Sequence, residues 1–148
     1  MTITRVSPAR ALQHILEDGY GYLDVRSEQE FSLGHPEGAY NIALQHMGAQ
    51  GMVDNPDFLT TVQGAFAKDA KLVVGCRSGR RSMRAAQVLI DAGFTHVIEQ
   101  RAGFEGPKDA FGRTQEKGWK DCGLPCAMQP LPGRSHRELS VPISRHGD

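Results

Sequence analysis

One short hydrophobic run, followed by a charged loop and a helix, constrains the fold of this chain more than any other feature. Residues 71–75 read Lys-Leu-Val-Val-Gly and are predicted to contain a buried strand. The loop after it, Cys76 to Arg81, holds three arginines, and residues 82–92 form a helical pattern. Apolar side chains cover most of that helix, so we expect it to be buried on more than one side. A buried strand that leads into a buried helix is typical of an α/β domain.

Strand and helix patterns alternate along the rest of the chain. Helices begin at Ser7-Pro8 and at Asn55-Pro56, where a capping residue precedes a proline. The alternation predicts an α/β fold with a mainly parallel central sheet, and in such sheets ligands lie at the carboxyl ends of the strands. Cys76 lies at one of those ends. The predicted strands are 2–6, 22–26, 39–42, 71–74 and 96–98, and the predicted helices are 8–18, 28–33, 56–67 and 82–92.

Length and composition predict one domain and a tail. We expect residues 1–127 to form a single compact domain, because a chain of 148 residues is of the size that one core can support. Residues 128–148 are rich in proline and arginine and poor in apolar residues, so we expect an extended or disordered C-terminal tail.

Charge and cysteine content limit the partners. The 17 basic and 17 acidic residues balance, which argues against a general affinity for nucleic acid or an anionic membrane. No apolar run approaches the length of a membrane span, and the first residues lack the charged and then hydrophobic pattern of a signal peptide, so neither a span nor a signal peptide is expected. Three cysteines, an odd number, fit a reducing compartment, so we expect a cytoplasmic protein. The oligomeric state is unknown at this stage.

The chemistry of the chain is expected at Cys76. Its arginine neighbours, the amides of the loop and the N-terminus of the next helix all favour a thiolate over a thiol. Most free cysteines are small buried hydrophobes, and the alternative is that Cys76 belongs to the core. Three arginines within five positions argue against that, because so much charge around an inert thiol is costly without an anion. The predicted site comprises catalytic Cys76 and substrate-binding Arg77, Ser78, Gly79, Arg80, Arg81 and Ser82.

Three sets of residues resemble the motifs of the rhodanese family of sulfurtransferases. Residues 23–26, Leu-Asp-Val-Arg, together with 34–42, resemble the family's opening motif. Residues 76–82, Cys-Arg-Ser-Gly-Arg-Arg-Ser, match its active loop. Residues 102–106 and 118–125 resemble the closing motif of small single-domain members. The sets occur in the family's order.

The resemblance implies a parallel five-stranded sheet with helices on both faces. It also implies that Cys76 accepts a sulfane sulfur from a small anionic donor such as thiosulfate and becomes a persulfide. Cyanide, a thiol or a protein acceptor then takes the sulfur. This chemistry requires no cofactor and no metal ion, and none is expected.

Residues outside the loop have less defined roles. Asp24 and Arg26 end a neighbouring strand and are expected to border the pocket, with Asp24 in a supporting role. Arg26 either binds the donor or forms a structural ion pair. His35 lies in a turn and matches a family position that is structural, and Trp119 is expected in the core or in a lid.

Two other functions remain open from the sequence. Cell-cycle phosphatases and some arsenate reductases have a related fold, with a loop of a cysteine, five residues and an arginine. Here Ser82 stands where that arginine would be, and Gly75 stands where tyrosine phosphatases have histidine, which favours sulfur transfer. The second alternative is a non-catalytic module that binds a partner or carries sulfur.

Cys122 and Cys126 depart from the family pattern. They could form a redox pair or resolve the Cys76 persulfide as a disulfide. A zinc site would need two more ligands, and downstream only His136 and His146 are present, at no recognised spacing. Two incidental thiols near the end of the domain are the favoured interpretation.

Overall fold

Five parallel strands form the central sheet of the protein. The computed structural model describes residues 2–141. None of the helices in that range combines the length and the apolar character needed to span a bilayer. The elements are β1 (Arg5–Val6), α1 (Pro8–Asp18), β2 (Gly21–Asp24), α2 (Glu28–Ser32), β3 (His35–Pro36), β4 (Tyr40–Asn41), β5 (Gln45–Gly48), β6 (Gly51–Asp54), α3 (Phe58–Ala65), β7 (Lys71–Gly75), α4 (Arg80–Asp91), β8 (His96–Gln100), a 3-10 helix (Trp119–Cys122), β9 (Cys126–Ala127) and α5 (His136–Leu139).

Strand β7, which the sequence predicted to be the buried central strand, is the middle strand of the sheet. The sheet runs β1-β8-β7-β2-β4, and every pairing in it is parallel. Residues 72–75 of β7 are buried between β8 and β2. The predicted α/β fold, with a mainly parallel five-stranded sheet, is confirmed.

Alternation of side chains along β7 divides the core into two layers. Leu72 and Val74 face the layer that contains Leu89 of α4 and the apolar side of α3. Val73 faces the opposite layer, which contains Trp119 and the apolar side of α1. Helices therefore cover both faces of the sheet, as predicted.

Local capping explains where the first helices begin. The Ser7 hydroxyl accepts a hydrogen bond from the Arg10 amide, and Pro8 occupies the first turn of α1. Ser27 and Glu30 form a reciprocal capping box at the start of α2. The third helix begins at Phe58 rather than at residue 56, because the Asn55 side chain accepts from the Asp57 amide and forms a turn before it.

Two small antiparallel pairings were not predicted. Strands β5 and β6 form a hairpin over residues 45–54, and the short strands β3 and β9 pair with each other. The hairpin has no buried residue, so its sequence lacks the alternation of apolar and polar residues that marks a strand.

The tail is ordered against the domain as far as residue 141, which corrects the expectation of an extended or disordered segment from 128. The backbone oxygen of Arg134 accepts from the Asn41 amide, and the Arg134 guanidinium lies over Tyr40. Ser135 caps the short helix α5, and the buried His136 accepts from the Ala43 amide through Nδ1 at 3.1 Å. These polar contacts hold a segment that has few apolar residues. Residues 142–148 of the predicted tail lie outside the described residues.

Candidate active site

A glycine sets the geometry of the loop that follows β7. Gly79 precedes α4 with φ 101°, in the left-handed region that favours glycine. A Cβ atom at this position would overlap the Arg101 backbone oxygen. The resulting turn brings the Gly79 amide to 3.1 Å from the Sγ atom of Cys76, to which it donates. The loop therefore presents a main-chain donor to the sulfur.

A second loop, residues 102–106, forms backbone hydrogen bonds with the cysteine loop. The Phe104 amide donates to the Cys76 backbone oxygen at 2.8 Å, and the Glu105 amide donates to that of Arg77 at 3.0 Å. Gly103 has φ 72°, and a Cβ atom there would overlap the Arg77 carbonyl group. This close approach is the physical reason for the glycines of the closing motif, residues 102–106.

Cys76 is buried but faces a cavity. Its side chain packs with the apolar residues of the core layer that contains Val74 and Leu89, and the residue is 2% exposed. A cavity of about 380 Å³ opens on it, lined also by Ser78 and the arginines of the loop. The Gly79 amide and the N-terminus of the twelve-residue helix α4 favour negative charge on the sulfur. The alternative of an inert core cysteine does not account for the donor or for the opening.

The three loop arginines differ in their partners. Arg81 donates two hydrogen bonds to Glu30, at 2.6 and 2.9 Å. Arg77 lies 3.3 Å from a carboxylate oxygen of Glu105. Arg80 is exposed and has no ion-pair partner among residues 2–141. All three line the cavity, so of the loop arginines a bound anion would meet one without an ion-pair partner and two paired guanidinium groups.

The ion pair with Arg81 lowers the pKa of the Glu30 carboxyl group. Partial burial raises the pKa of Glu30, but the hydrogen bonds from Arg81 and then Ser27 outweigh it and hold the pKa at about 2. Glu30 is thus ionised at any pH near neutrality. It fixes one guanidinium at the rim of the cavity.

Two cavity residues were missed in the sequence. Arg84 lies one turn after Arg80 on α4, and its four-residue spacing from Arg80 was a usable signal. Gln45 comes from the β5–β6 hairpin, which was itself not predicted.

Arg26 and Asp24 form a structural ion pair away from the Cys76 cavity, which corrects the prediction that Arg26 binds the donor. Arg26 is 2% exposed and donates to Asp24 Oδ2 at 2.8 Å and to the Gly34 backbone oxygen at 2.7 Å. Its guanidinium lies 4.6 Å from the centre of the Phe104 ring. Neither residue lines the Cys76 cavity. Arg26 borders a neighbouring cavity of about 560 Å³ that also contains Cys126.

His35 and Trp119 are both core residues. His35 is buried, stacks on the Phe31 ring and shares a 2.8 Å hydrogen bond between Nδ1 and the Phe31 backbone oxygen. Trp119 is 1% exposed, and its Nε1 donates to the Pro125 backbone oxygen at 2.8 Å. The structural role expected for His35 agrees with these contacts, and Trp119 is a core residue rather than a lid.

Cys122 and Cys126 are exposed free thiols. Their Sγ atoms donate to nearby backbone oxygens, and burial raises the pKa of Cys126. Among residues 2–141, no group of three or more His, Cys, Asp or Glu side chains is arranged to hold a metal ion. His146 lies outside the described residues.

Comparison with known proteins agrees with this fold. The sequence matches the Rhodanese-like domain family over residues 7–110. It is 46% identical over 90 residues to thiosulfate sulfurtransferase 16, chloroplastic, of Arabidopsis thaliana, with 61% of this chain and 75% of that protein covered. It is 41% identical over 97 residues to the senescence-associated protein DIN1 of Raphanus sativus, which covers 66% of this chain and 53%, about half, of that protein.

A solved structure supports the same assignment. The crystal structure of Rv0390 from M. tuberculosis superposes with a TM-score of 0.73 at 27% identity, covering 87% of this chain and all of that one. The family match covers more than half of the chain and includes the cysteine loop and four of the five strands of the central sheet. The chain therefore belongs to the rhodanese-like domain family.

Proposed function

We propose that the protein is a sulfurtransferase that carries a sulfane sulfur on Cys76 as a persulfide. The observation that carries the proposal is the position of the Cys76 sulfur. It lies at the carboxyl end of the central strand, accepts from the Gly79 amide at 3.1 Å and faces a cavity lined by arginines. A group-transfer enzyme needs a nucleophile that can hold the group covalently between two half-reactions.

In the first half-reaction the Cys76 thiolate attacks the outer sulfur of thiosulfate. A new sulfur–sulfur bond forms at Cys76, the bond within thiosulfate breaks, and sulfite leaves with the electron pair. Arg80, which has no ion-pair partner within residues 2–141, can donate to the dianion, and Arg77 and Arg81 add positive charge at the rim. The partners expected are thus a small anionic donor and, in the second step, a thiol, cyanide or a protein acceptor.

In the second half-reaction the acceptor attacks the terminal sulfur of the persulfide. With cyanide the product is thiocyanate, and the bonding pair of electrons returns to Cys76 as a thiolate. Main-chain amides and the N-terminus of α4 stabilise the charged terminal sulfur, as an oxyanion hole stabilises an alkoxide. The similarity to thiosulfate sulfurtransferase 16 of Arabidopsis thaliana supports this reaction class. The cytoplasmic location stays a prediction.

Phosphate or arsenate chemistry is the second candidate. Its loop places an arginine six positions after the cysteine, and here Ser82 occupies that position. A side chain at Gly75 would overlap the Tyr22 hydroxyl, so the site has no room for the histidine that precedes the cysteine in tyrosine phosphatases. Both observations favour sulfur transfer. A protein-to-protein sulfur carrier uses the same persulfide and differs only in its acceptor.

One experiment compares the candidates. The purified protein is incubated with thiosulfate and cyanide, and separately with an aryl phosphate. Thiocyanate formation without phosphate release supports the proposal, and phosphate release alone contradicts it. A stoichiometric persulfide that turns over only with a protein acceptor indicates the carrier.

The matched variants identify the sulfur acceptor. Cys76→Ala should abolish thiocyanate formation and the gain of one sulfur atom on the peptide that contains residue 76. Cys122→Ser and Cys126→Ser remove the exposed thiols and should retain both. Activity in Cys76→Ala would show that another cysteine accepts the sulfur.

A further inference from the structure

A chain of hydrogen bonds runs from Cys76 away from the cavity, and it is buried as far as Glu99 and ends at the exposed Arg5. The Sγ atom of Cys76 lies 3.3 Å from the Ser82 Oγ, and that oxygen lies 2.5 Å from Oε2 of Glu99. The other carboxylate oxygen of Glu99 accepts from Nε of Arg5 at 2.7 Å. Ser82 and Glu99 are both completely buried. Glu99 does not line the cavity that opens on the cysteine.

The fold places this carboxylate beside the reactive loop. Glu99 lies on β8, in register with Arg5 of β1 on one side and Val74 of β7 on the other. Ser82 is in the first turn of α4 and faces the same layer. A buried carboxylate requires partners, and the Arg5 ion pair supplies one. The remaining oxygen is directed at the serine that touches the catalytic sulfur.

Given the proposed function, in which Cys76 is the nucleophile, we propose that Glu99 takes the thiol proton of Cys76 through Ser82. Ser82 has a single hydroxyl proton, which it donates to the Glu99 carboxylate. The Cys76 thiol therefore donates to a lone pair of Ser82. In the transfer, the S–H bond breaks as a new O–H bond forms at Ser82, and the original hydroxyl proton moves to Oε2 of Glu99. The products are a thiolate, a neutral carboxylic acid and an intact serine hydroxyl that now donates to the sulfur.

The proton transfer moves one negative charge from Glu99 to Cys76 and leaves the net charge of the site unchanged. Before the transfer the charge lies on Glu99 beside Arg5, and afterwards it lies on Cys76, where the Gly79 amide and α4 stabilise it. Without the relay, an ionised Glu99 would repel the thiolate. Glu99 is thus a positioning residue that acts through Ser82.

Two neighbouring groups, Arg5 and Tyr22, do not offer another acceptor for the thiol proton. The hydrogen bond with Glu99 raises the pKa of Arg5, so Arg5 stays a cation. Burial raises the pKa of Tyr22, so Tyr22 stays neutral. Several other charged and titratable groups surround Cys76 and Glu99. They are Arg5 from β1, Tyr22 from β2, Arg77 from the loop, Arg80, Arg81 and Arg84 from α4, and the Arg101–Glu116 pair near Arg5.

The pH dependence of Cys76 alkylation tests the relay. Iodoacetamide is reacted with the intact protein from about pH 6 to 8, and the rate is measured by mass spectrometry on the peptide containing Cys76. In the wild type the internal transfer needs no proton from or to water, so the rate should not change with pH. In Glu99→Gln the thiol must ionise to water, and the rate should fall with falling pH, approaching about tenfold for each pH unit.

Companion variants separate the relay from a structural role. Ser82→Ala leaves Glu99 paired with Arg5 and should show the same slope, so it tests the relay even where Glu99→Gln is unstable. Ser82→Thr keeps the hydroxyl and should restore the flat profile. Glu116→Gln removes a carboxylate that pairs with Arg101, and it should behave as the wild type.

Two results would overturn the relay: a flat profile in both Glu99→Gln and Ser82→Ala, or the same slope in the wild type and the variants. The assay uses no sulfur donor. Failure of the wild type to form thiocyanate would therefore refute the proposed function without affecting the alkylation result. Equally, a failure of the relay in the alkylation assay would leave the proposed function intact.

Discussion

Replacing Glu30 by glutamine tests how the Arg81 guanidinium is held beside the cavity. Glutamine keeps the side-chain oxygen that accepts from the Ser27 amide, so the capping box of α2 persists. It removes the negative charge that accepts two hydrogen bonds from Arg81. Glu30→Gln therefore isolates the ion pair from the helix cap.

The pKa of Glu30 gives an upper limit for the contribution of the ion pair to the free energy of unfolding. It lies at about 2 in the folded protein, against an ordinary 4.5. At about 1.4 kcal/mol per pH unit, this separation corresponds to at most about 3.4 kcal/mol. The side chains of Arg81 and Glu30 are 16% and 17% exposed, so water screens the pair, and we expect about 1–2 kcal/mol.

The sign of the pH dependence follows from the lowered pKa. A carboxyl group with a lowered pKa stabilises the folded state only while it is ionised. The contribution is complete above about pH 5 and is lost as the pH falls toward 2. At about pH 3 less than half of it should remain.

Urea denaturation at pH 7 and pH 3 measures this contribution. Glu30→Gln should be less stable than the wild type by about 1–2 kcal/mol at pH 7, and the difference should fall by more than half at pH 3. Glu17→Gln is the control, since Glu17 is exposed and has no ion-pair partner within residues 2–141. It should differ from the wild type by less than about 0.5 kcal/mol at both values. An equal difference at both pH values for Glu30→Gln would refute the ion-pair reasoning.

Three further variants test other parts of the structure. Arg26→Gln leaves the buried Asp24 carboxylate without its cation and should cost about 3–5 kcal/mol in urea denaturation; a stable variant with a raised KM for thiosulfate would return Arg26 to the donor site. His136→Ala removes the acceptor of the Ala43 amide and should lower stability by about 1–3 kcal/mol without changing KM, and unchanged stability would mean that α5 does not hold the tail. Arg81→Ala should raise KM for thiosulfate more than it lowers the alkylation rate of Cys76, and an unchanged KM would show that Arg81 does not contact the donor.

The sequence predicted those elements that depend on interactions within a few residues. The start of α1 was predictable because Ser7 and Pro8 act within one turn, and the central strand because Leu-Val-Val has no polar interruption. The β5–β6 hairpin was not predictable from its period, since no face of it is buried. The order of the tail was missed because polar contacts of Arg134 and of the buried His136, rather than an apolar stretch, hold it.

Pairings across long stretches of sequence were beyond the reach of spacing arguments. Glu30 and Arg81 are 51 positions apart, and Ser82 and Glu99 are 17 apart on different elements. The cysteine loop could be predicted as the site because all its groups lie within seven residues. The carboxylates that surround it could be assigned only after the strand order and the register of β8 were known.

The ion pairs with these carboxylates weaken the sequence argument that identified the loop as a site. Three arginines near a thiol suggested that an external anion must balance their charge. In the structure, Glu30 and Glu105 already balance Arg81 and Arg77, so the cluster is stable without a ligand. The arginines alone are therefore weak evidence for anion binding. The stronger evidence is the sulfur itself, which is buried, accepts a main-chain hydrogen bond and faces an open cavity, an arrangement that an inert core cysteine would not need.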